Sequence, residues 1–179
     1  MNRRRVLAAL AGVGLTGGSA WVARNGVPRP GETGSGAAAG LPREVETLDA
    51  PGSTAGTAAV PVPGTPTVVD LFATWCAPCD EQLDELRAVR EEYPDVAFVS
   101  VTNERVGDTL TRGDIADWWA EHGGAWTVGV DPGSELLSAF GANALPFVAI
   151  TDAEGRVVAE YGGVASAGDL RDDLDALPA

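Results

Sequence analysis

Two cysteines three residues apart, Cys76 and Cys79, are the only thiols in a chain of 179 residues. They enclose Ala77 and Pro78 and stand where an apolar run, Thr67 to Ala73, gives way to a charged, helix-forming one. At that spacing on the first turn of a helix, both sulfurs lie on one side and within bridging distance. A helix start carries partial positive charge and unpaired N–H groups, which stabilise a thiolate and lower its pKa. Pro78 suits that turn because its missing N–H would have had no partner there. The two sulfurs are not expected to be equivalent. Cys79 shares a stripe with Leu83 and Leu86 and so faces inward, whereas Cys76 is expected at the open end of the helix, where a partner can reach it. That asymmetry predicts Cys76 as nucleophile and Cys79 as resolving thiol in disulfide exchange.

Asp70 is the third residue with chemical promise. Strand alternation places it on one face with Val68 and Phe72, so its carboxylate is expected to be buried. A buried, unpaired carboxylate raises its pKa and tends to neutralise. Near Cys79 such a group could accept the thiol proton during resolution, as a general base.

The elements that must position these residues follow from pattern. Val45–Leu48 and Thr57–Val62 are short strand candidates, and Thr67–Ala73 is an unbroken apolar run of the kind covered on both faces. Pro78–Tyr93 has helical periodicity, and Val96–Val101 is a second buried strand. Asp114 is expected to cap a helix through His122, with Ile115, Trp118 and Trp119 on one side. Thr127–Val130 is a strand, and Ser134 is expected to cap Glu135–Phe140. Phe147–Thr151, the turn Asp152–Gly155 and Arg156–Tyr161 make a hairpin, and Asp169–Leu177 a closing helix. Alternating strands and helices with a terminal hairpin predict a three-layer α/β sandwich around a mixed sheet.

Charge and composition narrow the function further. The formal charge is −14, from 26 acids and 12 basic residues, all arginine. Five arginines and no acid fall within residues 1–30, so the remaining body is strongly acidic and would repel phosphate backbones; nucleic-acid binding is excluded. An acidic, lysine-free body is also the balance expected of a protein kept soluble in strong brine. Two cysteines are too few for a disulfide scaffold or a cysteine-only zinc site.

Residues 1–23 combine Arg3-Arg4-Arg5-Val6-Leu7 with a weakly hydrophobic, glycine-rich stretch, resembling a twin-arginine export signal or N-terminal anchor. Residues 24–43, rich in Gly, Pro and Ala, form an expected flexible linker, and 44–179 the folded domain. The working compartment is therefore expected to be extracytoplasmic, either secreted or tethered to the outer face of the membrane through the N-terminus.

Val69 to Cys79 resembles the active-site strand and helix of thioredoxins. The stretch Ala73-Thr74-Trp75-Cys76-Ala77-Pro78-Cys79 is closest to the TlpA/ResA-like extracytoplasmic thiol–disulfide oxidoreductases. Ala144-Leu145-Pro146-Phe147 is similar to the family's cis-proline loop, and Gly162-Gly163 follows the resemblance through the terminal hairpin. The 67 positions from Cys79 to Pro146 leave room for a TlpA/peroxiredoxin-type αβ insertion over about Thr111–Val130. The resemblance implies a thioredoxin-like three-layer α/β/α fold and a Cys76–Cys79 redox disulfide. It implies a cis Pro146 that presents the Leu145 backbone to substrate, and Trp75 at the exposed rim. It implies no cofactor and no metal beyond the cysteine pair. Expected partners are cysteine-containing extracytoplasmic proteins and a membrane thiol electron donor, with the chain acting as a monomer.

The chain also departs from the family. Asp80 and Glu81 after Cys79 oppose a thiolate, predicting a higher Cys76 pKa and a more reducing couple; Asp84, in place of a kinking proline, predicts a straighter helix. Two other functions compete with disulfide reduction: a two-thiolate carrier of cuprous copper, and a thiol peroxidase.

Overall fold

The computed structural model describes residues 40–177; the export-type segment 1–23 and most of the linker expected over 24–43 lie outside the described residues. The first strand, β1 (Arg43–Thr47), begins at the last residue assigned to that linker and pairs antiparallel with β2 (Gly56–Val60). β3 (Thr67–Phe72) leads into α1 (Ala77–Arg90), followed by β4 (Ala97–Thr102), α2 (Arg112–Glu121) and β5 (Thr127–Val130). α3 (Glu135–Phe140), β6 (Phe147–Thr151), β7 (Val157–Gly162) and α4 (Ala167–Asp175) complete the order. The expected alternation is present, with α2 and β5 forming the additional αβ unit.

The seven strands make one mixed sheet in the order β2-β1-β5-β4-β3-β6-β7. β3 and β4 run parallel, as do β4 and β5, while β6 lies antiparallel to β3. All six residues of β3 and all five of β6 are buried, as apolar runs at the centre of a sheet must be. Alternation along β3 divides the core in two. Val68 and Phe72 face a cluster with Leu83 and Leu86 of α1, Ile115 and Trp119 of α2, and Leu170 of α4. Val69 and Leu71 face a second cluster closed by Leu136 and Phe140 of α3. Three helices thus cover one face and one short helix the other.

Two helix starts differ from expectation. α2 begins at Arg112 and its cap is Thr111, whose Oγ1 accepts from the Asp114 N–H; Asp114 instead returns a bond from its third helical position to the Thr111 N–H. The pair is a reciprocal capping box, so Asp114 stabilises the helix without being its cap. At α3, Ser134 occupies the N-cap position as expected, but its backbone is left-handed (φ 56°) and its side chain bonds no helix N–H. Asp131 takes that role, Oδ2 accepting from the Leu136 N–H at 2.8 Å.

Trp119 is fully buried, donates from its indole to Pro51 O at 3.1 Å, and leaves no room beside Gly124, where a Cβ would sit 2.1 Å from the ring. Gly124→Ala is therefore expected to destabilise the domain by about 1–3 kcal/mol through overpacking, measured as a fall in the urea midpoint at unchanged slope.

Candidate active site

The strand β3 ends at Phe72, and Ala73 to Trp75 turn the chain into α1. Cys76 is the N-cap of α1, with extended backbone angles, and Pro78 lies in the first turn. The N–H of Cys79 donates to Cys76 O at 2.9 Å, drawing the two residues together, and their sulfurs are joined in a disulfide with Cα atoms 5.3 Å apart. Both sulfurs sit at the positive end of a 14-residue helix, as the spacing predicts.

The expected difference in exposure between the cysteines is smaller than predicted. Cys76 is only 5% exposed and Cys79 fully buried, and both belong to the apolar cluster that holds Phe72 and Leu83. The disulfide ties the Cys76 sulfur back onto the helix, so it is no open thiol. Cys76 is the outer of the two by a narrow margin, and the residue that stands out is Trp75, 74% exposed.

Asp70 of β3 is buried, on the face that alternation shares with Val68 and Phe72, whose cluster also holds both cysteines. Its Oδ2 accepts a hydrogen bond from Ser100 Oγ at 2.7 Å, and Ser100 in turn accepts from the Trp126 indole N–H at 2.9 Å. Oδ1 is buried with no hydrogen-bond partner. Loss of hydration on burial raises the carboxyl pKa from 3.8 to about 7, against the lowering effect of the Ser100 bond.

Two side chains that sequence reasoning had not marked as site residues hold the surrounding loops. Glu104, just beyond β4, accepts from the Thr74 backbone N–H at 2.7 Å and from the Thr74 hydroxyl at 2.9 Å, gripping the loop two residues before Cys76. Gln82, one turn after Cys79 and fully buried, accepts from the Ala165 N–H at 2.7 Å and donates to Ala165 O at 3.4 Å. The same loop carries Gly163, whose φ of +101° suits only glycine and aims its N–H at Pro146 O, 2.9 Å away. The Leu145–Pro146 bond is cis, Pro146 is buried, and half-buried Leu145 packs against the cluster containing the cysteines.

Other candidates fall away from the chemistry. Trp118 is sandwiched between Phe72 and His122, at ring-centre distances of 5.2 and 4.3 Å, and packs as expected. His122 is the C-cap of α2 and faces Asp80 at 3.7 Å. Among the described residues, no cluster of three or more His, Cys, Asp or Glu could hold a metal ion, and no helix is long and apolar enough to cross a membrane.

A sulfur pair at a helix start, a buried aspartate on the strand before it and a cis-proline loop joined to the same helix are the arrangement of thioredoxin-like thiol–disulfide oxidoreductases. The chain belongs to the Redoxin family, whose model matches residues 36–177. Thioredoxin-2 of Saccharomyces cerevisiae is 35% identical over 49 residues, 27% of this chain and 47% of that one. The chain thus spans about half the length of the curated relatives it matches. The fold is similar to that of the pneumococcal exposed lipoprotein thioredoxin Etrx1 from Streptococcus pneumoniae (TM-score 0.63, 21% identity, 76% of this chain and 100% of that one). It is also similar to a secreted Mycobacterium tuberculosis disulfide oxidoreductase (TM-score 0.61, 19% identity, 76% and 97%).

The buried carboxyl has a consequence for stability. With a pKa near 7 folded and 3.8 unfolded, Asp70 holds its proton only in the folded state between those values, so its contribution to stability falls as pH rises from about 4 to about 7. Asp70→Asn is expected to remove that fall and to gain a few kcal/mol on the parent chain at pH 8 but not at pH 4. Urea midpoints of the oxidised proteins across that range measure it; parallel pH curves would refute the assignment.

Proposed function

We propose that the chain is an exported thiol–disulfide oxidoreductase that reduces disulfides of cysteine-containing proteins outside the cytoplasm. The observation that carries this reading is the Cys76–Cys79 disulfide at the start of α1, on the helix that follows the strand of the buried Asp70. In the reduced protein, the Cys76 thiolate attacks one sulfur of a target disulfide. The target S–S bond breaks, a Cys76–target bond forms, and the second target sulfur leaves as a thiolate. Cys79 then gives its proton to the Asp70 carboxylate and attacks the Cys76 sulfur. The Cys76–Cys79 bond forms, the remaining target sulfur departs as a thiolate, and two electrons have passed to the target. A membrane dithiol, itself oxidised to a disulfide, returns those electrons and two protons.

Trp75 at the rim and the Leu145 backbone beside cis Pro146 supply the surface for an extended target segment. No cofactor takes part beyond the cysteine pair, and the chain acts as a monomer. The twin-arginine-type segment at 1–23 supports export with secretion or tethering at the outer membrane face, and relatives described as an exposed lipoprotein and as secreted agree with it. The acidic, lysine-free composition supports a role at high salt. The copper-carrier alternative has two sulfurs but lacks a third soft or imidazole ligand among the described residues, since His122 packs on Trp118 and faces Asp80.

Cys79→Ala is expected to accumulate mixed disulfides through Cys76 with exported proteins, whereas Cys76→Ala accumulates none; an empty Cys79→Ala trap would defeat the reading. Direction is read by equilibrium titration against glutathione. A potential near the roughly −270 mV of thioredoxin marks a reductase, and one near −120 mV an oxidant.

A further inference from the structure

We propose that Ser100 and Trp126 are positioning residues for this site: Trp126 fixes the Ser100 hydroxyl as a donor to Asp70 Oδ2, so that Oδ1 alone carries the exchangeable proton. The inference rests on the reading of Asp70 as proton acceptor for Cys79 and assigns the atom and the groups that prepare it.

The direction of each bond is forced by what the partners can do. An indole N–H only donates, so Ser100 Oγ, 2.9 Å from Trp126 Nε1, must accept there. A hydroxyl has a single proton, and its other contact is Asp70 Oδ2 at 2.7 Å, where it must therefore donate. Oδ2 is committed as an acceptor in both protonation states. Oδ1 has no partner in the interior, so a proton that the carboxyl gains goes to Oδ1 and is lost from it.

The chain of donors is built into the sheet. Ser100 on β4 stands in register opposite Asp70 on the parallel strand β3, which fixes their separation by backbone pairing. Trp126 is 3% exposed and held edge-on by Trp119 and Phe98, at ring-centre distances of 5.0 and 6.3 Å. The Arg90 guanidinium of α1 lies over its ring at 5.9 Å.

Among the described residues, nothing else that packs around Asp70 performs the same task. On the other side of Asp70, β6 presents Val148, and no residue of β6 titrates. The residues that α1, α2 and α4 bury include no acid, base or tyrosine, and the one thiol among them, Cys79, is bonded to Cys76. Arg90 reaches the indole, and no ion pair to Asp70 exists among the described residues. Ser100 is thus the one group that favours the charged carboxylate against its burial.

The test uses the full chain, with Cys76 loaded as a mixed disulfide with thionitrobenzoate and stopped-flow release of the coloured thiolate reporting attack by Cys79 across pH 5 to 10. Ser100→Ala is expected to move the Asp70-dependent limb up by about one to two pH units and to slow release at pH 7 roughly 5- to 50-fold. Ser100→Thr, which keeps the hydroxyl, restores the profile. Trp126→Phe, which keeps the ring and loses the N–H, shifts it in the same direction by less. The carbon-13 shift of the Asp70 carboxyl in the reduced protein follows the same midpoints without relying on turnover. Slowing by an equal factor at every pH in Ser100→Ala, with the carboxyl midpoint unmoved, would overturn the positioning role while Asp70→Asn still abolished the limb. If Asp70→Asn itself kept the parent profile, the proton-acceptor reading would fail and this inference with it.

Discussion

A carboxyl group kept in an apolar interior, on the strand that leads into the cysteine helix, is the constraint around which the domain is organised. Removing a charged carboxylate from water costs several kcal/mol unless bonds replace its hydration, and Asp70 has one such bond. It can stay there only because β3 is buried on both faces by layers of helix, with no route for solvent to its side chain. The three-layer architecture is therefore also an electrostatic device. It holds an acid whose pKa burial pushes up to about 7, on the sheet face that also packs against the cluster of the sulfurs.

The site is then fixed from several directions at once. The dipole of α1 acts on the sulfurs along the helix axis. Glu104 draws the approach to Cys76 toward the end of β4, and Gln82 joins the next turn of the helix to the loop before α4. That loop, through Gly163, reaches the carbonyl of Pro146. None of these contacts is a large energy by itself. Together they connect four separate stretches of chain to a single turn of helix.

Much of this was legible in the residues. The strands at Thr67–Phe72, Thr127–Val130 and Phe147–Thr151 are runs of apolar and β-branched side chains, and their limits agree with the sequence pattern to within a residue. Burial of Asp70 followed from period-two alternation alone. Ser100 was invisible because its meaning depends on the register between two strands, which no local pattern specifies; in isolation it is one small polar residue in an apolar run. Trp126 and Glu104 lie in segments without periodicity, so only their long-range partners reveal them. The depth of Cys76 could not be read because helix position fixes where a residue starts, whereas the bond to Cys79 decides where its sulfur ends. The cap at Thr111 was misplaced by three residues, and at α3 the cap position was right but the acceptor is Asp131, for a similar reason: acceptors of several kinds crowd each helix start, and backbone angles choose among them.

The amide of Gln82 has a geometrical consequence for the proposed reaction. Because it bonds Ala165 through both its oxygen and its nitrogen, the spacing between the cysteine helix and the loop leading to Pro146 is set by the length of one side chain. A shorter side chain at position 82 would leave the Ala165 N–H without its acceptor and free the loop that reaches Pro146 from the cysteine helix.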